Sequence, residues 1–125
     1  MKSLHTCIRV KDLEKSIAFY TEAFPFKEKR RKDFPDDRFT LVYLALEDDS
    51  YELELTYNYG HEAYDLGNGY GHIALGTKDF EKRHENHKKA GYSVTDIKGL
   101  SDQSTQFYFI EDPDGYKIEV IDLNK

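Results

Sequence analysis

An α+β fold made of two tandem βαβββ modules is predicted for this chain, on three observations. His5-Thr-Cys-Ile-Arg-Val-Lys-Asp12-Leu13 and His72-Ile-Ala-Leu-Gly-Thr-Lys-Asp79-Phe80 read as copies of each other, both strand-like and both breaking into a helix at the aspartate. The equivalences run from 5 to 72, from 12 to 79 and from 23 to 90, a constant offset of 67 that duplication explains most simply. Each copy also ends in a strand in which a glutamate sits between aliphatic residues, Leu53-Glu54-Leu55 and Ile118-Glu119-Val120. Module one is expected over about 1–58, a connector over 59–71 and module two over 72–125. All three belong to a single domain, since 125 residues is a common domain size and long enough to bury a core.

The elements follow in chain order. Residues 3–10 alternate, placing Leu4, Thr6, Ile8 and Val10 on one face of a strand and His5, Cys7 and Arg9 on the other. Asp12 is a helix cap, and Leu13, Ile17, Tyr20 and Phe24 recur at helical spacing until Pro25 stops the helix. Strands are expected at Phe26–Lys32, whose run of basic residues suits an exposed edge, at Phe39–Leu46, and at Tyr51–Tyr57 after the Asp48-Asp49-Ser50 turn. In the last of these, Glu52, Glu54, Thr56 and Asn58 share a face. The second module repeats the order: a strand over 72–77, a cap at Asp79, a helix to Ala90 stopped by Gly91, and a strand over Tyr92–Asp96. A polar loop is expected over Lys98–Ser104, then a hairpin, Gln106–Ile110 and Tyr116–Leu123, around Asp112-Pro-Asp-Gly115.

Composition narrows the function classes. With a net charge of -6 the chain lacks the Lys and Arg surplus that phosphate neutralisation needs, so nucleic acid and anionic membrane surfaces are not expected partners. No window approaches the ~18 apolar residues of a spanning helix, and the N-terminus lacks an apolar h-region. The one cysteine, Cys7, has no internal disulfide partner, which together with the missing leader predicts a cytoplasmic protein.

The chemistry lies in the repeated histidines and glutamates. One face of each sheet is covered by its helix; the other is free to line a cleft, and His5 and Glu54 fall on that free face, as does Glu119 with Lys117 and Ile121. Two His and two carboxylates form a donor set for a first-row divalent ion with water positions to spare. At the strict offset of 67, Glu52 rather than Glu54 stands opposite Glu119, so spacing leaves either as the ligand. His84 and His87 replace the Ile17 and Tyr20 of the first helix and read as half-buried, hydrogen-bonded histidines. Cys7 reads as a small buried hydrophobe. His61 reads as solvated.

Set side by side, His5, Glu54-Leu-Thr-Tyr-Asn58, Tyr70-Gly-His72-Ile-Ala and Asp112-Pro-Asp-Gly-Tyr-Lys-Ile-Glu119 resemble glyoxalase I, the lactoylglutathione lyases of the vicinal-oxygen-chelate superfamily. The match runs nearly end to end and includes Phe19-Tyr20-Thr21. The resemblance implies curved mixed sheets with helices on their outer faces, and metal ligands His5, Glu54, His72 and Glu119. It implies isomerisation of the methylglyoxal–glutathione hemithioacetal to S-lactoylglutathione through a metal-stabilised enediolate, with Glu119 and Glu54 as the proton-shuttling pair and Glu119 as first choice of base. Arg9 and Asn58 match positions that hold the γ-glutamyl end of glutathione. Lys98 is adjacent to Ile97, where relatives carry a basic residue, and Asn68 stands where some carry an arginine. His5 and the short connector look like the bacterial branch, which uses nickel or cobalt, with zinc as the other choice. The family also implies a homodimer with its sites at the subunit interface. An extradiol-type dioxygenase and a non-enzymatic antibiotic-binding protein are the alternatives on the same fold.

Overall fold

In the computed structural model the described residues are 1–124, so the last residue of the expected domain lies outside them. The chain forms two compact units, one from Met1 to Asp65 and one beginning at Leu66, and the change falls inside the expected connector.

Unit 1 contains β1 (His5–Arg9), α1 (Leu13–Ala23), β2 (Lys27–Phe34), β3 (Phe39–Ala45) and β4 (Glu52–Asn58). The sheet order is β1-β4-β3-β2, with β1 parallel to β4 and the other pairs antiparallel. Alternation sends Ile8, Val42, Leu44, Leu53 and Leu55 to the helix side, where each is at least 96% buried. Asp12 caps α1 by accepting from the Lys15 amide at 3.1 Å. The helix buries Ser16, Phe19, Tyr20 and Ala23; of the expected stripe, Tyr20 and the C-cap residue Phe24 are buried while Leu13 and Ile17 are half-buried, so the core line is turned toward Ser16 and Phe19. Leu4, expected in the core, precedes β1 and is exposed. The basic edge strand β2 is exposed along all but its last residue, and Arg31 pairs with Glu14 and Glu28.

Unit 2 repeats the plan with β5 (Ile73–Thr77), α2 (Phe80–Lys89), β6 (Lys98–Gly99), β7 (Gln106–Glu111) and β8 (Lys117–Asp122). Its sheet order is β5-β8-β7-β6, with β5 parallel to β8. Phe80 of α2 and Tyr108, Ile110, Ile118 and Val120 of the sheet are almost wholly buried. Asp79 holds the N-cap position without capping the backbone; its carboxylate binds the Thr77 hydroxyl and Arg83. The hairpin turn closes as expected: Gly115 has φ +90°, and Asp112 Oδ1 accepts from the amides of Asp114 and Tyr116, both at 2.9 Å.

Two expectations are corrected here. Tyr92–Asp96 is not a strand, having one isolated bridge between Val94 and Ile110, because the Thr95 hydroxyl takes the Phe109 amide at 2.9 Å that a regular ladder would give to a carbonyl. The expected polar loop instead opens with the two-residue strand β6, and Lys98 stands in it opposite Phe107. Among the described residues, no helix is long and apolar enough to cross a membrane.

Candidate metal centre

The register of the two sheets decides which glutamates are equivalent. Cys7 pairs with Glu54 in the parallel β1–β4 ladder and Ala74 pairs with Glu119 in β5–β8. Cys7 and Ala74 are themselves equivalent in the repeat, so Glu54 is the topological counterpart of Glu119. Glu52 is engaged elsewhere, its carboxylate 2.6 Å from Arg30 Nη1.

In unit 1, His5 Nε2 lies 3.1 Å from Glu54 Oε2; in unit 2, His72 Nε2 lies 3.3 Å from Glu119 Oε1. Two adjacent ligands of one first-row ion, each with a bond of about 2.1 Å, stand roughly 3 Å apart. Both pairs therefore match the spacing of neighbouring ligands, and in an ion's absence the same spacing serves a hydrogen bond. The donor set of neutral imidazole and carboxylate suits a divalent first-row metal. No cluster of three or more His, Cys, Asp or Glu side chains forms among the described residues, so the structure brings the four expected ligands together as two pairs.

Each histidine also packs edge-on against an aromatic ring that reaches across from two strands away in its sheet. His5 meets Tyr43 with ring centroids 5.6 Å apart at 75°, and His72 meets Phe109 at 5.4 Å and 70°. Tyr43 and Phe109 are the direct cross-strand partners of Glu54 and Glu119.

The surroundings of the two glutamates then part. Glu54 is 7% exposed, and Tyr43 Oη donates to its Oε2 at 2.7 Å while Thr56 Oγ1 donates to its Oε1 at 2.8 Å. With the single Thr56 proton committed to Glu54, the Cys7 thiol is the donor in its 3.2 Å contact with Thr56. Burial pushes the Glu54 carboxyl up, but the hydrogen bonds from Tyr43 and Thr56, with the Cys7 thiol and His5 close by, outweigh it and hold the group below its ordinary value. Burial and the Glu54 carboxylate push the Tyr43 phenol up, so it stays protonated and able to donate. Cys7 is exposed on the His5 face rather than buried, which corrects its reading as a core hydrophobe.

Arg9 is exposed at the end of β1 on the His5 face, and Asn58 ends β4 on the Glu54 face, its Nδ2 2.9 Å from Tyr64 Oη. Lys98 belongs to unit 2. His84 and His87 are hydrogen-bonded as expected: His84 Nε2 lies 2.9 Å from the Thr95 carbonyl and His87 Nδ1 2.9 Å from Tyr108 Oη. His61 stacks on Tyr64 at 4.0 Å.

Comparison with known proteins places this geometry. The model of the Glyoxalase/Bleomycin resistance protein/Dioxygenase superfamily matches residues 2–120. A lactoylglutathione lyase of Neisseria meningitidis is 48% identical, with 97% of this chain and 90% of that protein covered. That of Salmonella typhimurium is 43% identical, with 98% and 93% covered. This chain belongs to the lactoylglutathione lyases of that superfamily. It is accordingly an enzyme. Among solved structures, glyoxalase I of Zea mays superposes with a TM-score of 0.88 at 40% identity, covering 96% of this chain and 44% of the maize chain, so this chain spans less than half the maize protein. The trypanothione-dependent glyoxalase I of Leishmania major superposes with a TM-score of 0.86 at 38% identity, covering 99% and 88%. The two-sheet, two-helix fold expected from the sequence is that of these enzymes.

The sequence reading missed Tyr43, Thr56 and Phe109. Their part depends on cross-strand register, and the available signal was the alternation that puts Thr56 on the Glu54 face.

Proposed function

We propose that this chain is a metal-dependent glyoxalase I that converts the hemithioacetal of methylglyoxal and glutathione to S-lactoylglutathione. Each unit carries an equivalent His–Glu pair at ligand spacing, in a chain whose relatives are lactoylglutathione lyases, and this observation carries the reading. His5, Glu54, His72 and Glu119 would hold one divalent ion per site, nickel or cobalt by kinship with the bacterial branch, with zinc the other choice. Bound there, the ion would supply positive charge where the two substrate oxygens become negative.

The chain's own residues do the rest. Glu119 takes the proton from the carbon that bears sulfur and returns it to the neighbouring carbon, and Glu54 is the second member of the shuttling pair. A carboxylate fixed on a strand suits that transfer, which spans a few ångströms and tolerates little wandering. Arg9, with Asn58, receives the γ-glutamyl carboxylate, a guanidinium–carboxylate contact that gives an acidic protein a local handle on an anionic substrate. Lys98 takes the glycyl end. The working form is a cytoplasmic homodimer of single-domain chains, in which His5 and Glu54 of one protomer face His72 and Glu119 of the partner subunit.

The test is to strip the protein with a chelator, add back nickel, cobalt or zinc, and follow thioester formation from methylglyoxal with glutathione and with trypanothione. Product with one thiol and at least one metal is expected. No product with any combination would replace this reading with that of a small-molecule-binding protein.

A further inference from the structure

Glu54 differs from Glu119 in having a hydroxyl aimed at each of its oxygens. The Oε2 atom facing His5 at 3.1 Å is also the atom to which Tyr43 donates at 2.7 Å, and Thr56 holds Oε1 at 2.8 Å. A carboxylate oxygen has two lone pairs, so the phenol takes one and leaves the other directed toward His5. The Tyr43 ring is held in turn: Arg30 lies over its face at 3.8 Å from the centroid while bonded to Glu52 at 2.6 Å, and the His5 ring packs edge-on against it. One side chain thus touches both the histidine and the glutamate of unit 1.

We propose that Tyr43 is a positioning residue that fixes the Glu54 carboxylate and the His5 ring as a preformed half of the divalent-metal site. This rests on the reading of Glu54 as a metal ligand. The carboxylate can rotate about its last bond, and without the phenol Thr56 would be its one remaining hydroxyl donor among the described residues. Hydrogen bonds from groups outside the ligand set orient ligands in this way, and their removal typically weakens metal binding by about 10–100-fold. Phe109 in the same place beside Glu119 has no hydroxyl, so the device belongs to one half of the site.

Tyr43→Phe keeps the ring, its edge contact with His5 and the strand, and removes only the donor. Dissociation constants for nickel and zinc, measured by competition with a chromophoric chelator, are expected to rise about 10–100-fold. The melting temperature of the chelator-stripped protein should stay near that of the parent, separating positioning from folding. Thr56→Val, which removes the second donor, is expected to weaken binding in the same direction and serves if the first variant does not fold. Unchanged metal affinity in a folded Tyr43→Phe, or a loss fully accounted for by a lower stripped melting temperature, overturns the assignment. Glu54→Gln keeps the two failures apart. If Glu54→Gln weakens metal binding and Tyr43→Phe does not, only Tyr43 falls. If the parent binds no divalent metal or Glu54→Gln binds as tightly as the parent, the metal-site reading falls and Tyr43 with it.

Discussion

Around Glu54, the neighbouring positions on its own and the flanking strands hold Tyr43, Thr56 and Cys7, each with a proton to donate; around Glu119, the same positions hold Phe109, Ile121 and Ala74. A second contrast lies one strand position further on. Where unit 1 has Arg9 and Asn58, unit 2 has Gly76 and Leu123, and the Leu123 side chain lies so close over Gly76 that a Cβ there would meet it at 2.6 Å. The His–Glu spacing is nearly the same in the two halves, while almost everything touching it differs. One half is built to hold a carboxylate still and to present polar groups. The other, among the described residues, pairs its carboxylate with His72 and flanks it with apolar side chains, as would suit the proposed base.

The largest test of that contrast is Glu119→Gln. As removal of the base, it should cut kcat by about 10²–10⁴ with metal still bound, read by thioester formation and metal content together. Turnover near the parent's would move the base elsewhere. Phe109→Tyr then makes the halves alike, placing a phenol beside Glu119 as Tyr43 stands beside Glu54. A hydrogen bond to a charged group of about 1.5 kcal/mol should lower kcat roughly tenfold while metal affinity holds or improves. An unchanged kcat would mean that freedom from donors is irrelevant to Glu119.

Gly76→Ala sharpens the second contrast. Leu123 must swing aside, and about 1 kcal/mol of stability should be lost, seen as a lower melting temperature of the stripped protein; an equal or higher one would show that the leucine cover does not matter. The smallest expected effect concerns acid. A carboxyl held below its ordinary value of 4.5 stabilises the fold above that pH, and the contribution is lost as pH falls through the folded-state value. Tyr43→Phe releases Glu54 toward its ordinary value, so acid unfolding followed by circular dichroism should begin at slightly higher pH. A shift to lower pH would contradict the hydrogen-bond account.

Strands, helices and the repeat were legible because their signals are local. Period-two alternation gave β1 and β4, the aspartate before each helix marked its start, and Asp112-Pro-Asp-Gly115 announced its own turn. The expected strand over Tyr92–Asp96 failed because the side chain of Thr95 competes with the ladder, which no periodicity records, while the expected polar loop holds from Leu100 to Ser104. For the site, the four ligand positions could be read from repeated types, but the choice between Glu52 and Glu54 needed either kinship or the pairing of Cys7 with Glu54. Tyr43 lay beyond reach: eleven residues before Glu54, it becomes the glutamate's neighbour only when the register of β3 on β4 is known.

The central claim, that one His–Glu pair from each unit together makes a working site across a homodimer, is tested most directly by complementation. One inactive chain carries His5→Ala with Glu54→Ala, the other His72→Ala with Glu119→Ala, and the two are coexpressed and assayed for thioester formation. Random pairing leaves one intact site in half of the dimers, so activity of about a quarter of the parent's is expected. Mixed dimers that form yet stay as inactive as either chain alone would contradict the account.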